Sequence, residues 1–318
     1  MTGATGSVGF ASIEYLCQQG IHVIGLARPS SDLDLVNKLR GFGAEIILGD
    51  ILDPNTYTNY FSKVNVIVHT AAVIRAKENE QYKSVNISGT KHIRDLAIKN
   101  QIKRFIHIST CGVYGITKNE LTFETASTNP LSPYTQSKLE SELILMEKIK
   151  ELNLTIVRPP FIIGNHDRYV VPTLVKYFGI KVVPKFFKND PLIGFVHAQD
   201  IAKCVFEMGI RDDSPHIVYN IQSFVLKFTR VVRLVHELQH KRTYFIPIPF
   251  TILLILSIPI DFLRKLLRKS RILANIRRIR TDWIFSSKRL HDDFNWTPAY
   301  SSKDLEILIS NQLINKYE

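Results

Sequence analysis

Thr2-Gly3-Ala4-Thr5-Gly6-Ser7-Val8-Gly9 sets three glycines at intervals of three, at the entry to an amphipathic stretch over 8–19. In that spacing the first glycine permits a tight turn, the second lets backbone approach a diphosphate, and the third brings helix against strand. The free N–H groups of the first helical turn and the positive end of its dipole then face the phosphates. An apolar run at 21–26 follows at the distance a βαβ unit requires. Further outward, short apolar runs at 44–48, 64–69, 104–109 and 154–158 alternate with longer amphipathic ones at 32–41, 55–62, 78–100 and 133–152.

That alternation predicts an α/β protein with a Rossmann-type, doubly wound parallel sheet. A last unit reads as strand 192–196, helix 199–209 and strand 216–220. The dinucleotide-binding part is expected at 1–160 with 192–222 returning to it. A smaller, mostly helical C-terminal substrate lobe with a basic tail is expected at 161–191 and 223–318. A phosphate turn ordinarily follows a buried strand, yet only Met1 and Thr2 precede Gly3. The first strand is therefore expected to be missing or truncated, with the natural chain starting upstream or the domain poorly stable.

Composition narrows the function classes. With 318 residues, 45% hydrophobic and 22% charged, the chain is an ordinary globular one rather than disordered or collagen-like. Cys17, Cys111 and Cys204 are odd in number and form no C-x-x-C pair, which argues against a disulfide framework and fits a reducing cytoplasm. The ten histidines show no metal-ligand spacing, so no metal is expected. No basic stretch followed by an apolar run marks a leader. Of the net charge of +12, a net +8 lies between Asp261 and Leu290, so a general field for nucleic acid is not indicated.

Just before that basic segment, 243–260 is uncharged and mostly Ile, Leu, Phe and Pro. Pro247, Pro249 and Pro259 leave only 250–258 uninterrupted. Such a stretch covers roughly 14 Å as a helix, against a hydrocarbon core of about 30 Å, so it does not span. Two readings stay open: an apolar cap over the substrate pocket beside a solvated basic face, or peripheral membrane contact through 243–280.

Two further motifs carry chemistry. Arg28 closes the second strand where an acidic residue would hold a ribose 2′-hydroxyl. An Arg suits a 2′-phosphate and predicts NADP(H) as the preferred cofactor, with NAD(H) second. In Ser132-Pro133-Tyr134-Thr135-Gln136-Ser137-Lys138 a capping Ser and a first-turn Pro start a helix. Tyr134 and Lys138 then lie one turn apart on one face. An ammonium so placed is expected to lower the Tyr pKa toward acid/base use.

With these motifs the chain resembles the extended short-chain dehydrogenase/reductases, the group of nucleotide-sugar epimerases and dehydratases and of 3β-hydroxysteroid-dehydrogenase-like enzymes. The likeness runs through the glycine turn, Gly49-Asp50, Val68-His69-Thr70-Ala71-Ala72 and Val85-Asn86-Ile87-Ser88-Gly89-Thr90. It continues through Ile108-Ser109-Thr110-Cys111-Gly112-Val113-Tyr114-Gly115, Tyr134 with Lys138, and Arg158-Pro159-Pro160. It ends with Phe195-Val196-His197-Ala198-Gln199-Asp200-Ile201-Ala202 and Phe294-Asn295-Trp296-Thr297-Pro298.

The resemblance implies Tyr134 as proton donor and acceptor, Lys138 as its activator and ribose ligand, and Thr110 as the hydroxyl orienting the substrate oxygen. Ser109 is adjacent and could share that role. Asn86 resembles the helix Asn that supports the Lys through water. Cofactor contacts are implied at Gly3, Thr5, Gly6, Ser7, Val8, Gly9, Arg28, Asp50, Ile51, Thr70, Ala71, Ala72, Ser109, Tyr134, Lys138 and Pro160. His69 is expected beside the cofactor without acid/base duty, and His197 and Asp200 as fold-supporting residues. Dimers through a four-helix contact are also implied.

One departure is informative. Nucleotide-sugar members commonly carry an Arg-Asp pair where this chain has Ile193-Gly194, and a bidentate Arg grips diphosphate strongly. The function expected first is therefore an NADP(H)-dependent oxidoreductase acting on a secondary alcohol or ketone of a largely apolar, sterol- or isoprenoid-like substrate. A nucleotide-sugar epimerase, dehydratase or ketoreductase is the alternative, and a non-catalytic NADP-binding protein the lesser one.

Overall fold

Two residues hold the centre of the sheet. In the computed structural model, which describes residues 1–118, 120–179, 182–185, 190–211, 214–249, 251–252 and 281–314, Thr2 forms parallel bridges to both Leu26 and His69. The Thr2 N–H donates to the Val68 carbonyl at 3.0 Å, and the Leu26 N–H to the Met1 carbonyl at 2.8 Å. Thr2 is thus bridged on both sides at the centre of the sheet.

On one side of Thr2 lie β1 (Ile24–Ala27) and β2 (Glu45–Leu48). On the other lie β3 (Val66–His69), β4 (Arg104–Ile108) and β5 (Leu154–Arg158). Every pairing is parallel, and β9 (Val218–Asn220) adds to β5. The strand β4 is buried along its whole length, because helices cover both of its faces. One face packs under α1 (Ser7–Gln18) and α7 (Ala198–Gly209), through Ile13, Val157, Ile201, Val205 and Met208. The other packs under α4 (Thr90–Lys99) and α5 (Pro133–Met146), through Ile93, Phe105, Leu145 and Ile156. A doubly wound sheet results.

Where local pattern and structure differ, backbone bonding explains the difference. The stretch read as one helix over 78–100 is broken by a π-helical run, Tyr82–Gly89, between α3 (Asn79–Gln81) and α4. Within it Gly89 lies against Ile51, and a Cβ there would stand 2.4 Å from that side chain. The run at 55–62 forms two 3₁₀ turns, Pro54–Thr56 and Thr58–Lys63.

Among its described residues the C-terminal part holds strands as well as helices. A second sheet joins β6 (Phe161–Ile163), β8 (Leu192–His197) and β10 (Phe224–Lys227), while β7 (Val182–Lys185) pairs with β11 (Tyr244–Pro247). The open edges of β8 and β7 capture segments whose own pattern is ambiguous. Around them pack α6 (Val170–Phe178), α8 (Phe228–Leu238) and α10 (Ser302–Ile314), through Val175, Val231, Val235 and Ile309. A shorter helix, α9 (Lys288–Phe294), precedes Trp296.

His197 and Asp200 tie this C-terminal segment back to the first sheet. The Asp200 carboxylate accepts from Ser223 Oγ at 2.5 Å and from the Ala299 N–H at 2.8 Å. Its carbonyl accepts from Trp296 Nε1, and His197 stacks on Tyr300 at 3.8 Å. The apolar-to-basic junction read from 243–280 lies outside the described residues, apart from 243–249 and 251–252. Among the described residues no helix is long and apolar enough to cross a membrane, and no cluster could hold a metal ion.

Candidate active site

The glycine turn runs from Thr2 straight into α1. Gly3 has φ +70°, and a Cβ there would stand 2.7 Å from Thr70 Oγ1 and 2.8 Å from the Ala71 nitrogen. At Gly9 a Cβ would lie 2.2 Å from the Gly3 carbonyl oxygen, so helix and turn meet backbone to backbone. The helix starts after Gly6 with no side-chain cap and no acid in its first turn, which leaves its leading N–H groups for an anion. Before them opens a cavity of about 960 Å³. A glycine cradle that any Cβ would fill, facing uncapped helix N–H groups, fits the diphosphate of a dinucleotide.

Every cofactor position read from the sequence lines this one cavity, from Gly3 through Arg28, Asp50, Ile51 and Thr70–Ala72 to Ser109, Tyr134, Lys138 and Pro160. Arg28 is exposed at the end of β1, and Thr5 Oγ1 meets Ser31 Oγ beside it at 3.2 Å. Asp50 is half-buried, with its carboxylate accepting from the Leu52 N–H.

A reciprocal capping box starts α5. Ser132 Oγ accepts from the Thr135 N–H at 3.2 Å, and Thr135 Oγ1 accepts from the Ser132 N–H at 3.0 Å. Tyr134 and Lys138 follow on the cavity wall. Lys138 is buried, and its Nζ donates to the Ile108 carbonyl at 2.8 Å and meets His107 Nε2 at 3.2 Å. Burial lowers its ammonium to about 7, against the opposing pull of the Glu142 carboxylate. The Tyr134 phenol moves the other way from the sequence expectation. Burial raises it, and Tyr82 and Tyr169 raise it further.

Thr110 also lines the cavity, and its Oγ1 accepts from the Gly112 N–H at 3.0 Å. That leaves the hydroxyl proton to be given to another oxygen. Ser109 differs: its hydroxyl donates to Glu142 Oε1. Asn86 does not line the cavity. Its amide nitrogen donates to the Val73 carbonyl and to Ser137 Oγ, and its oxygen accepts from the Val73 N–H. It braces the loop after β3 against α5, and its side chain makes no direct bond to Lys138. His69 is neutral, lowered to about 3 by burial and then by the charges of Lys138 and the amino terminus. Its Nδ1 bonds Thr2 Oγ1 and its Nε2 bonds Thr90 Oγ1, a structural duty at the end of β3.

The far half of the cavity is apolar, lined by Phe161, Leu174, Phe178, Ile193, Phe195, Phe228 and Trp283. At Gly194 a Cβ would press on the Gln222 amide and stand 3.0 Å from the Trp283 carbonyl, so a side chain beside Ile193 would need Gln222 to move. Polar groups at this end include Arg75, whose Nη2 donates to Thr173 Oγ1 at 2.8 Å while its guanidinium lies over the Tyr169 ring.

Sequence reasoning missed Glu142, His107 and Arg75. For Glu142 a signal existed: positions 134, 138 and 142 repeat at four, and an acid on the buried face of a helix needs a partner. That partner is Arg158, at 2.5 Å. Arg158 Nη1 donates in turn to the Tyr114 hydroxyl, which donates to Asn220 Oδ1. Burial alone would lower the guanidinium, but Glu142 and Tyr114 raise it above its ordinary value.

A parallel doubly wound sheet, with a glycine turn at its centre and a Tyr/Lys helix on the opposite wall of one cleft, defines the Rossmann-type short-chain dehydrogenase/reductase class. Within it, the chain belongs to the NAD dependent epimerase/dehydratase family, which matches residues 1–221. It is 30% identical to sterol demethylase protein B of Methylococcus capsulatus over 52% of this chain and 52% of that protein. It is 27% identical to the 4-hydroxy-2-methyl-3-oxo-4-farnesyl-3,4-dihydroquinoline-1-oxide ketoreductase of Stigmatella aurantiaca, over 55% of this chain and 53% of that one. The chain spans about half the length of the curated relatives it matches. The crystal structure of the UDP-glucose 4-epimerase from Thermotoga maritima with UDP-glucose shares the fold, with TM-score 0.76, 22% identity and coverage of 100% of this chain and 98% of that one.

Proposed function

We propose that the chain is an NADP(H)-dependent oxidoreductase that interconverts a secondary alcohol and ketone on a largely apolar substrate. The observation that carries this reading is the single cavity, with a glycine-lined phosphate end, Thr110, Tyr134 and Lys138 along its wall, and an aromatic and aliphatic far half. When bound, the nicotinamide supplies or accepts the hydride. The residues that would hold it are the glycine turn, Thr70–Ala72, Lys138 and Pro160.

For reduction, the chain provides the proton and its placement. The Thr110 hydroxyl donates to the substrate oxygen, and Tyr134 gives that oxygen its proton. Burial keeps the phenol protonated at neutral pH, which suits a donor. Lys138 supplies positive charge to the phenolate that remains. The apolar walls exclude water and hold the substrate by burial rather than by charge.

Names among the relatives support an apolar substrate, a sterol in one case and a farnesylated quinoline in another. The nucleotide-sugar reading rests on a different observation, the cations Arg75 and Arg168 on the cavity wall. Turnover of NADPH and NADP⁺ against ketone, sterol and nucleotide-sugar panels separates the two. We expect activity with apolar ketones or alcohols. A sugar nucleotide retained in native mass spectrometry, with turnover confined to that class, overturns the apolar reading.

Arg28 is the expected determinant of cofactor choice. NADPH should bind more tightly than NADH, and Arg28→Ala should narrow the gap by ~1.5–3 kcal/mol, the range for a hydrogen bond to a charged group. Titration calorimetry with both cofactors measures it. Equal affinities in the wild type refute the assignment.

A further inference from the structure

Among the buried titratable groups, His107 on β4 has no structural reason to be a histidine. Its ring is fully buried, with Nε2 at 3.2 Å from Lys138 Nζ and 3.4 Å from Ser141 Oγ. The Ser141 hydroxyl gives its proton to the Lys138 carbonyl at 2.7 Å and has none for Nε2, so with Lys138 as an ammonium the proton between Nζ and Nε2 is the lysine's. An ammonium can only donate. The imidazole therefore accepts at Nε2 and carries its own proton on Nδ1, which has no hydrogen-bond partner among the described residues. A buried N–H left without a partner costs stability, and a phenylalanine at this position would avoid that cost. His69, stacked on the same ring at 5.3 Å, is different because both of its nitrogens are bonded.

We propose that His107 is a positioning residue for Lys138, its Nε2 accepting an ammonium N–H and, with the Ile108 carbonyl, holding the amine protonated on the cavity wall. The proposal rests on the reading of Lys138 as the activator of Tyr134. Support for the lysine thus comes from the sheet behind it, while the Asn86 side chain is committed to Val73 and Ser137.

The groups around Lys138 leave this task to His107. From β4 come His107 itself and the Ile108 carbonyl, and from β3 comes His69, lowered to about 3. Burial also holds His107 well below the ordinary histidine value, so neither ring adds charge. From α5 come Tyr134 and Glu142, and the Glu142 carboxylate is already paired with Arg158 of β5. Burial, outweighing the opposing pull of the Glu142 carboxylate, lowers Lys138 to about 7, where the ammonium readily loses its proton near neutral pH. A bond accepted from the ammonium favours the charged form and works against that loss.

The test reads Lys138 directly. Only a neutral amine is acylated, so labelling the full chain with acetic anhydride across a pH series, followed by peptide mass spectrometry, reports the midpoint of Lys138. We expect His107→Phe to lower that midpoint by about one pH unit or more, as for a lost hydrogen bond to a charged group. His107→Gln puts an amide oxygen where Nε2 was and should stay close to wild type. His107→Asn cannot reach and should behave like the Phe variant, so it stands in if the Phe variant does not fold. In turnover, kcat should fall roughly tenfold or more in the Phe variant and recover in the Gln variant, with cofactor Kd little changed. A folded Phe or Asn variant that labels with the wild-type midpoint overturns the proposal. If no panel substrate is turned over, the activity reading fails while the labelling still decides His107.

Discussion

Replacing Tyr134 by Phe is expected to lower kcat by roughly 10²–10⁴ while cofactor affinity stays near wild type. The substitution removes one oxygen and its proton from the cavity wall and keeps the ring. The ring centroid lies 6.3 Å from that of Tyr82, a contact that Phe preserves. Helix α5 keeps its start, because the capping box is made by Ser132 and Thr135. Lys138 keeps its bonds to His107 and the Ile108 carbonyl. In the proposed mechanism this loses the group that passes a proton to the substrate oxygen, leaving Thr110 to donate a hydrogen bond but no proton. Steady-state kinetics on the substrate found in the panel, with cofactor binding followed by fluorescence, separates these effects. A Phe variant with wild-type kcat removes Tyr134 from the mechanism.

The largest effect on stability is expected at Glu142. Its side chain is fully buried, takes two bonds from Arg158 at 3.0 and 2.5 Å, and accepts from the Ser109 hydroxyl. Glu142→Ala would strand a buried guanidinium and leave a cavity, a loss of about 3–5 kcal/mol. Glu142→Gln retains one acceptor and should lose less. The double change Glu142→Leu with Arg158→Met should recover much of the loss, because no unpaired charge remains buried. Thermal or denaturant unfolding of the three variants checks the order. If Glu142→Ala unfolds like wild type, the pair contributes nothing, and the coupling between β4, α5 and β5 must lie elsewhere.

Glu142 also shows how a functional helix is tied to its surroundings. Tyr134, Lys138 and Glu142 repeat at four residues along α5, so the first two meet the cavity while the third locks the helix to Arg158. The lock extends through Tyr114 to Asn220, whose backbone N–H donates to Glu124. Strand ends that carry Thr110 and Pro160 are thereby held against the helix that carries the proposed acid/base pair.

The glycine turn, the alternation of apolar and amphipathic runs, and the Tyr134/Lys138 spacing were sufficient to read the doubly wound sheet and the wall of the cavity. Each is a local signal: backbone room at Gly3 and Gly9, a period of two or of 3.6, and one helical turn between two side chains. Beyond that reach, long-range pairing decided. The strands Phe224–Lys227 and Tyr244–Pro247 exist because open edges of β8 and β7 accept them, which no pattern within those segments announces. The π-helical run at Tyr82–Gly89 fits where Gly89 meets Ile51, a residue nearly forty positions earlier. Thr2 joins the sheet because β1 and β3 bracket it, residues far apart along the chain. The environment of each ionisable group was likewise a tertiary matter. Helical spacing placed an ammonium near a phenol, but burial pushed Tyr134 up and Lys138 down. Solvent exclusion is set by everything packed around a group, whereas sequence spacing reports only its nearest neighbours along the chain.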